Sequence, residues 1–208
     1  NGSGAGVGNV DLDFINRATG RKIYVPNDLT SAAGSYSVRV PSGAYDVEYR
    51  PPPTTDLLTG LRQGLTVVSD VTGLIDTLQA GLQVFGTTVD EGDGPVHNAD
   101  LDLIDTCTGR RIPTAHDNSD ALGGFSVYVP AGTYTIRVAP PRCLPLGAYR
   151  LANQRIEGPL GLGTIMLPNA FPVTGRVLDH TGQPVPGVDL DFFDATSRAR
   201  QATARDNT

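Results

Sequence analysis

The chain has 208 residues, 39% of them hydrophobic, which is enough for packed cores and leaves an enzyme possible on size alone. Its formal net charge is −6, with no run of five like charges and no basic amphipathic segment, so the footprints of a nucleic-acid binder and of a membrane-surface helix are both missing. Glycine (25) and proline (16) make up about a fifth of the residues, which favours many turns over long helices, and no stretch of 18 apolar residues exists to embed the chain in a membrane.

The opening "NGSGAGVGNV" lacks the charged and apolar regions of a signal peptide, so a mature or internal fragment is expected. Asn1-Gly2-Ser3 fits the glycosylation sequon, a tripeptide that also arises by chance. The same glycines fail the G-x-G-x-x-G spacing of a dinucleotide site and precede a strand instead of a helix. Fifteen of the sixteen basic residues are arginine, with Lys22 alone as lysine, a bias that hints at a GC-rich bacterial genome.

The first strand pattern is "VDLDFIN" (10–16), where Leu12 and Phe14 share one face and Asp11 and Asp13 the other. Near-copies occur as "ADLDLID" (99–105) and "VDLDFFD" (188–194). Asp11, Asp100 and Asp189 lie 89 residues apart (100 − 11 and 189 − 100), and the register holds without a gap. Thus "GSYSVRVPSGAYDVEYRPP" (34–52) falls on "GGFSVYVPAGTYTIRVAPP" (123–141). The sequence therefore divides into 1–81, a repeat lacking its first strand; 82–170, a complete repeat; and 171–208, the start of a third, truncated one.

In the complete repeat, alternation predicts strands at 83–89, 98–105, near 110–115, 125–129, 133–138, 149–156 and 162–167. About seven short strands at this spacing suit an all-β fold, a tandem array of Greek-key, Ig-like or transthyretin-like β-sandwiches. The junctions "QAG" (79–81) and "PNA" (168–170) are far shorter than a flexible linker, so a semi-rigid rod is expected. The incomplete ends suggest either a window onto a longer array or chains that complement one another by strand addition.

The pieces "VTGRVLDHTGQPVPGVDLDF" and "GGFSVYVPAGTYTIRV" resemble the carboxypeptidase regulatory-like family, a transthyretin-like (prealbumin-like) sandwich that recurs in tandem in large bacterial surface and secreted proteins. The resemblance implies an extracellular or cell-surface spacer, stalk or adhesion module with no activity of its own. The metallocarboxypeptidase domain behind the family's name has no counterpart in the chain.

The paired aspartates raise the question of metal. Two carboxylates on one strand face, roughly 6.5–7 Å apart at Cα, can converge on a cation when a loop adds oxygens, and calcium takes six to eight. The candidate calcium ligands are Asp11, Asp13 and Asp28 in the first repeat, Asp100, Asp102, Asp117, Asn118 and Asp120 in the second, and Asp189, Asp191 and Asp206 in the third. The alternative is a solvated acidic face paired with arginines such as Arg39, Arg137 and Arg176, with Asp117 and Asn118 serving a turn. In the first repeat Ser31 replaces the acid found at position 120, which counts against metal.

Catalytic patterns are missing. His97, His116 and His180 align with unlike residues in the other repeats, form no metal-ligand spacing, and read as surface or turn residues. An acid pair repeated on an open sheet lacks the burial that splits two carboxyl pKa values. Cys107 and Cys143 occur only in the second repeat, consistent with a disulfide, although an up-and-down reading of the strands puts them toward opposite ends. An isopeptide crosslink needs a lysine in each repeat, and only the first has one.

The leading expectation is a non-enzymatic extracellular stalk or surface-filament component, partnered by neighbouring repeats or identical chains through strand addition or end-to-end stacking. A carbohydrate or surface-polymer binding module is the alternative, with Tyr128, Tyr149 and Phe193 as candidate surface aromatics and Tyr45, Tyr49 and Tyr134 expected inside. A third reading is an accessory region of a larger secreted enzyme.

Overall fold

A computed structural model describes residues 4–196 and 198. Among them the regular structure is all strand: β1 (Asp11–Asn16), β2 (Arg21–Ile23), β3 (Gly43–Arg50), β4 (Gly60–Val67), β5 (Leu82–Val89), β6 (Asp100–Asp105), β7 (Gly124–Val129), β8 (Gly132–Ala139), β9 (Tyr149–Ile156) and β10 (Leu160–Met166). Among the described residues no helix is long and apolar enough to cross a membrane.

Residues 82–167 form a sandwich of two three-stranded sheets, ordered β10-β5-β7 and β6-β8-β9. The strands expected from alternation are present, except that the short third one reduces to a bridge between Ile104 and Arg111. β5 is central in its sheet, parallel to β10 and antiparallel to β7. Every second side chain points between the sheets, so Val84, Leu101, Leu103, Val127, Val129, Ile136, Val138 and Ile156 share one core at 1% exposure or less. Each contributes roughly 1.5–3 kcal/mol by leaving water. The turns repay their polar residues with hydrogen bonds: Asp105 accepts from the amides of Cys107 (3.0 Å) and Thr108 (2.7 Å), and Gly109 closes the turn at φ 68°.

Before the sandwich lies a four-stranded sheet, β2-β1-β3-β4. Its strands β1, β3 and β4 start at 11, 43 and 60, each 89 residues before β6, β8 and β9 at 100, 132 and 149. Details repeat with them. The Tyr45 hydroxyl donates to the Pro41 carbonyl (2.8 Å), as that of Tyr134 does to Pro130 (2.9 Å), and Asn27 and His116 both adopt the left-handed conformation, at φ 55° and 56°. His116 is thereby a turn residue, and Tyr45, Tyr49 and Tyr134 are buried as expected.

The second sheet of this first unit is missing among the described residues. Segments 35–40 and 71–77, the counterparts of β7 and β10, run without strand pairing. In the complete sandwich β5 lies between their counterparts and pairs with both. Tyr36, Val38 and Val40 still lean on the core of Val10, Leu12, Phe14, Tyr45, Val47 and Tyr49.

Beyond 170, the strand pattern at 188–194 is not a continuous strand among the described residues. The described part of this region holds a bridge between Leu178 and Pro184, and Leu190 (38%) and Phe192 (41%) are exposed instead of buried. Asp189 and Phe193 are bridge residues, and no continuous strand runs through 188–194 among the described residues. Asp206 lies outside the described residues.

Candidate functional site

The acidic strand face is built the same way twice. In the second unit the segment leading to Ser119 folds back along β6, with the Leu101 amide donating to the Asp117 carbonyl (2.8 Å) and a bridge joining Asp100 and Asn118. This brings Asp117 beside the Asp100–Asp102 pair. Arg111 fills the space between the three: its guanidinium pairs with Asp102, with Asp117 at 2.8 Å and with Asp100 at 3.9 Å. Thr114 adds a hydroxyl bond to Asp117 at 2.9 Å.

In the first unit the Leu12 amide donates to the Asp28 carbonyl (3.1 Å), and Asp13 pairs with Lys22 and, at 4.0 Å, with Arg50. Lys22 and Arg111 are themselves 89 residues apart (111 − 22). The acids are thus overlaid by a loop and paired with cations, Lys22 and Arg50 in the first unit and Arg111 in the second; Asp13 is buried at 6% exposure, whereas the Asp100 side chain stays 46% exposed. Arg39 and Arg176, expected as partners, lie on segments outside the sheets, while Arg137 faces Asp102 across the β6–β8 register.

Burial, followed by repulsion from Asp102 and Asp117, raises the Asp100 carboxyl above its ordinary range. Burial and the Asp13 charge do the same to Asp11. The hydrogen bond to Asp13 raises the Lys22 amine, keeping it charged.

This donor set does not fit calcium. A guanidinium or ammonium stands where the ion would sit, and among the described residues no group of three or more acids, histidines or cysteines is arranged to hold a metal. Asp120 turns away and closes its own turn, accepting from the amides of Leu122 and Gly124 at 2.8 Å each. Ser31 closes the equivalent turn by accepting from Ser35 (3.2 Å), which explains why a serine suffices there. Asn118 is exposed, as are Asp189 and Asp191, which sit outside any named strand.

Cys107 and Cys143, the expected disulfide pair, are free and exposed in this structure. The β6–β8 register sets Asp105 against Tyr134 and Asp100 against Ala139. Cys107 follows β6 at one end of the sheet and Cys143 follows β8 at the other. About five strand residues separate those ends, roughly 17 Å, whereas a disulfide needs Cα atoms within about 7 Å.

Two features were not foreseen. The cations Lys22 and Arg111 were legible as a repeated basic position in each unit's short third strand. The other feature is a cleft of about 260 Å³ in the first unit, lined by Val7, Tyr36, Tyr49, Leu74, Ile75 and Leu78 among others. On its wall the Tyr49 hydroxyl donates to Asp76 (2.6 Å), and Arg62 pairs with the same carboxylate at 2.9 Å. Burial and the Asp76 bond push the Tyr49 phenol far above its ordinary range. The cleft lies beside Tyr36 and residues 74–77, at the place that β5 occupies in the second unit.

No protein-family model matches the sequence, and no curated protein matches it. Among solved structures, the chain is similar to a type II cohesin–X-dockerin complex from Acetivibrio cellulolyticus, with 21% identity over 42% of this chain and 57% of that one, at a TM-score of 0.31. It is similar to the shaft pilin SpaA from Lactobacillus rhamnosus GG, with 12% identity, 83% and 92% coverage and a TM-score of 0.34. It is also similar to the Bacillus anthracis TIE protein, with 15% identity, 87% and 38% coverage and a TM-score of 0.32. The chain spans little more than half the length of the first of these, at 57%. Likenesses at this distance carry no functional argument, and the carboxypeptidase regulatory-like resemblance rests on the motifs quoted above.

Proposed function

We propose that the chain is a non-enzymatic structural segment of a bacterial surface or secreted protein, a semi-rigid stalk or fibre element made of tandem β-sandwich units with an 89-residue period. The observation that carries this reading is a junction made twice. At the first, the Leu58 amide donates to Gln79 (2.8 Å), that of Gly81 to Asp56 (2.7 Å), and Leu57 bridges Ala80. At the second, the Gly147 amide donates to Pro168 (2.7 Å), that of Ala170 to Pro145 (2.8 Å), and Leu146 bridges Asn169.

Each unit's exit is thus pinned to its own long loop by backbone hydrogen bonds, and the next strand follows at once. Pro52 and Thr55 on one side and His116 and Tyr128 on the other line a small cleft between the units. Such a junction transmits orientation from unit to unit. The polar clusters support a structural role as well, since their carboxylates are occupied by Lys22 and Arg111. The extracellular and bacterial assignment rests on the family resemblance.

Small-angle scattering tests the rod. A Cβ on Gly81 would meet Leu58 Cδ2 at 2.5 Å and Tyr128 Cβ at 2.9 Å, so Gly81→Val opens the first junction. The native chain should show one elongated distance distribution, and the variant a broader one. Equal breadth in the two proteins would overturn the clamped-rod reading.

A further inference from the structure

We propose that the outer face of the β10-β5-β7 sheet binds a neutral polysaccharide, with Phe85 as the ring on which a sugar stacks. The site goes beyond the stalk reading and does not depend on it, since the second unit alone builds this sheet. The two sheets of that unit differ in charge. β5 (LQVFGTTV), β7 (GFSVYV) and β10 (LGLGTIM) contain no charged residue, whereas β6, β8 and β9 carry Asp100, Asp102, Asp105, Arg137, Arg150 and Arg155. Surface strands are ordinarily rich in charge, so the uncharged face is the one that calls for a reason.

Alternation aims Gln83, Phe85 and Thr87 of β5, Ser126 and Tyr128 of β7 and Thr164 of β10 outward, away from the buried Val84, Val127 and Ile165. Phe85 stands on the central strand at 42% exposure. Its register partner on β10 is Gly161, and a Cβ on that glycine would meet the Phe85 ring at 3.2 Å. The ring therefore leans across the neighbouring strand, where a larger residue would lift it. Gly161 has no positive φ to explain it, so its smallness serves the ring. Across the 89-residue period, Phe85 corresponds to Thr174 (174 − 85) and Gly161 to Thr72 (161 − 72), so the repeat itself requires neither the ring nor the gap beneath it.

Hydrogen-bonding groups flank the ring in fixed places. The Gln83 amide donates to the Ser126 hydroxyl (2.9 Å), and the Thr87 hydroxyl to that of Thr164 (3.2 Å). Each pair keeps capacity for a ligand, because the Gln83 carbonyl can still accept and the Ser126 and Thr164 hydroxyls can still donate. Tyr128 opposes Gln83, which sets it on the diagonal from Phe85, about 7–8 Å away. A sugar ring offers an apolar C–H face to an aromatic and a rim of hydroxyls that donate and accept, and this face matches both. An anionic polymer calls for arginine or lysine, and a docked protein for a cluster of aromatic or arginine anchors. The three strands have no cation and a single ring at their centre.

Electrophoresis of the full chain through native gels containing hydroxyethylcellulose, glucomannan or arabinoxylan tests this, with polygalacturonate as the anionic comparison. At least one neutral polymer should retard the native chain, and polygalacturonate should not. Phe85→Ala, on the outer face and clear of the core, should weaken the retardation about tenfold. Phe85→Trp should keep it, and Gly161→Val, which lifts the ring, should lose it. Tyr24→Ala removes an aromatic that is 90% exposed in the first unit and should change nothing. No retardation by any neutral polymer, a Phe85→Ala or Gly161→Val chain retarded like the native one, or an equal loss from Tyr24→Ala would each overturn the proposal. Sedimentation velocity covers the other occupant: self-association that Phe85→Ala abolishes, without retardation by a neutral polymer, would give the face to a second copy and refute the polysaccharide site. The rod is measured separately by scattering and stands or falls on its own.

Discussion

Replacing Arg111 by alanine tests whether the acidic face is a structural ion-pair cluster. The Arg111 side chain is 53% exposed, but its partners Asp102 and Asp117 are only 15% and 12% exposed. Removing one partner of a fully buried pair costs about 3–5 kcal/mol, and an exposed pair is worth about 0.2–1 kcal/mol. The half-exposed arginine places Arg111→Ala between these limits. Asp117 keeps its Thr114 hydroxyl bond at 2.9 Å, so the main loss falls on Asp102. A destabilisation of about 1.5–2 kcal/mol follows from interpolating between the two classes. For a unit of this size that is a fall in Tm of roughly 6–16 °C. Calorimetry at low salt reads it, with Arg110→Ala as the exposed neighbour control and Arg111→Lys as the conservative variant. Lysine should recover most of the loss, because Lys22 already does this work in the first unit. If Arg111→Ala melts with Arg110→Ala, or if Arg111→Lys is as damaged as Arg111→Ala, the cluster does not stabilise the unit.

Other consequences are equally direct. Millimolar calcium should leave Tm unchanged, since cationic side chains occupy the positions between the acids; a rise of several degrees that chelator reverses would contradict this. Carboxyl NMR should find Asp100 titrating above the ordinary 3.8 and Asp105 below it, the first raised by burial and the second lowered by its bonds to Thr108. The linkage signs are opposite: Asp100 contributes stability that is complete below 3.8 and lost as pH rises through its raised folded value, whereas Asp105 contributes stability present above 3.8 and lost as pH falls through its lowered one. Midpoints in the reverse order would refute both environments. Both cysteines should react with a thiol reagent in the native protein, and a count of fewer than two would show them protected. Gly86→Val should destabilise the second unit by at least the roughly 1–3 kcal/mol of an overpacked core, since its Cβ meets Gly163 O at 2.7 Å. A urea midpoint equal to that of the native chain would show that the backbone gives way there.

Much of the site was visible in sequence only as residue type. That Asp100 and Asp102 share a strand face follows from the two-residue pleat, and that Asp117 belongs with them was suggested by the loop "HDNSD". Which cation answers them was not readable, because the choice among Arg111, Arg137 and an ion depends on how far the short strand after the "TCTG" turn folds back over β6. The same holds for the cysteines, whose separation is fixed by the β6–β8 register.

By itself the sequence determined what is local and periodic: strand positions, inward and outward phases, turn residues and an 89-residue register, all set by side-chain alternation and backbone preferences that each segment carries with it. Tertiary structure decided which of those strands exist. "SYSVRV" and "FSVYV" carry the same alternation, yet only the second is a paired strand, because only beside it does β5 supply hydrogen bonds. "VDLDFFD" has the pattern of β1 and β6 yet shows only isolated bridges at Asp189 and Phe193, since a continuous strand needs a ladder partner and a core beneath it.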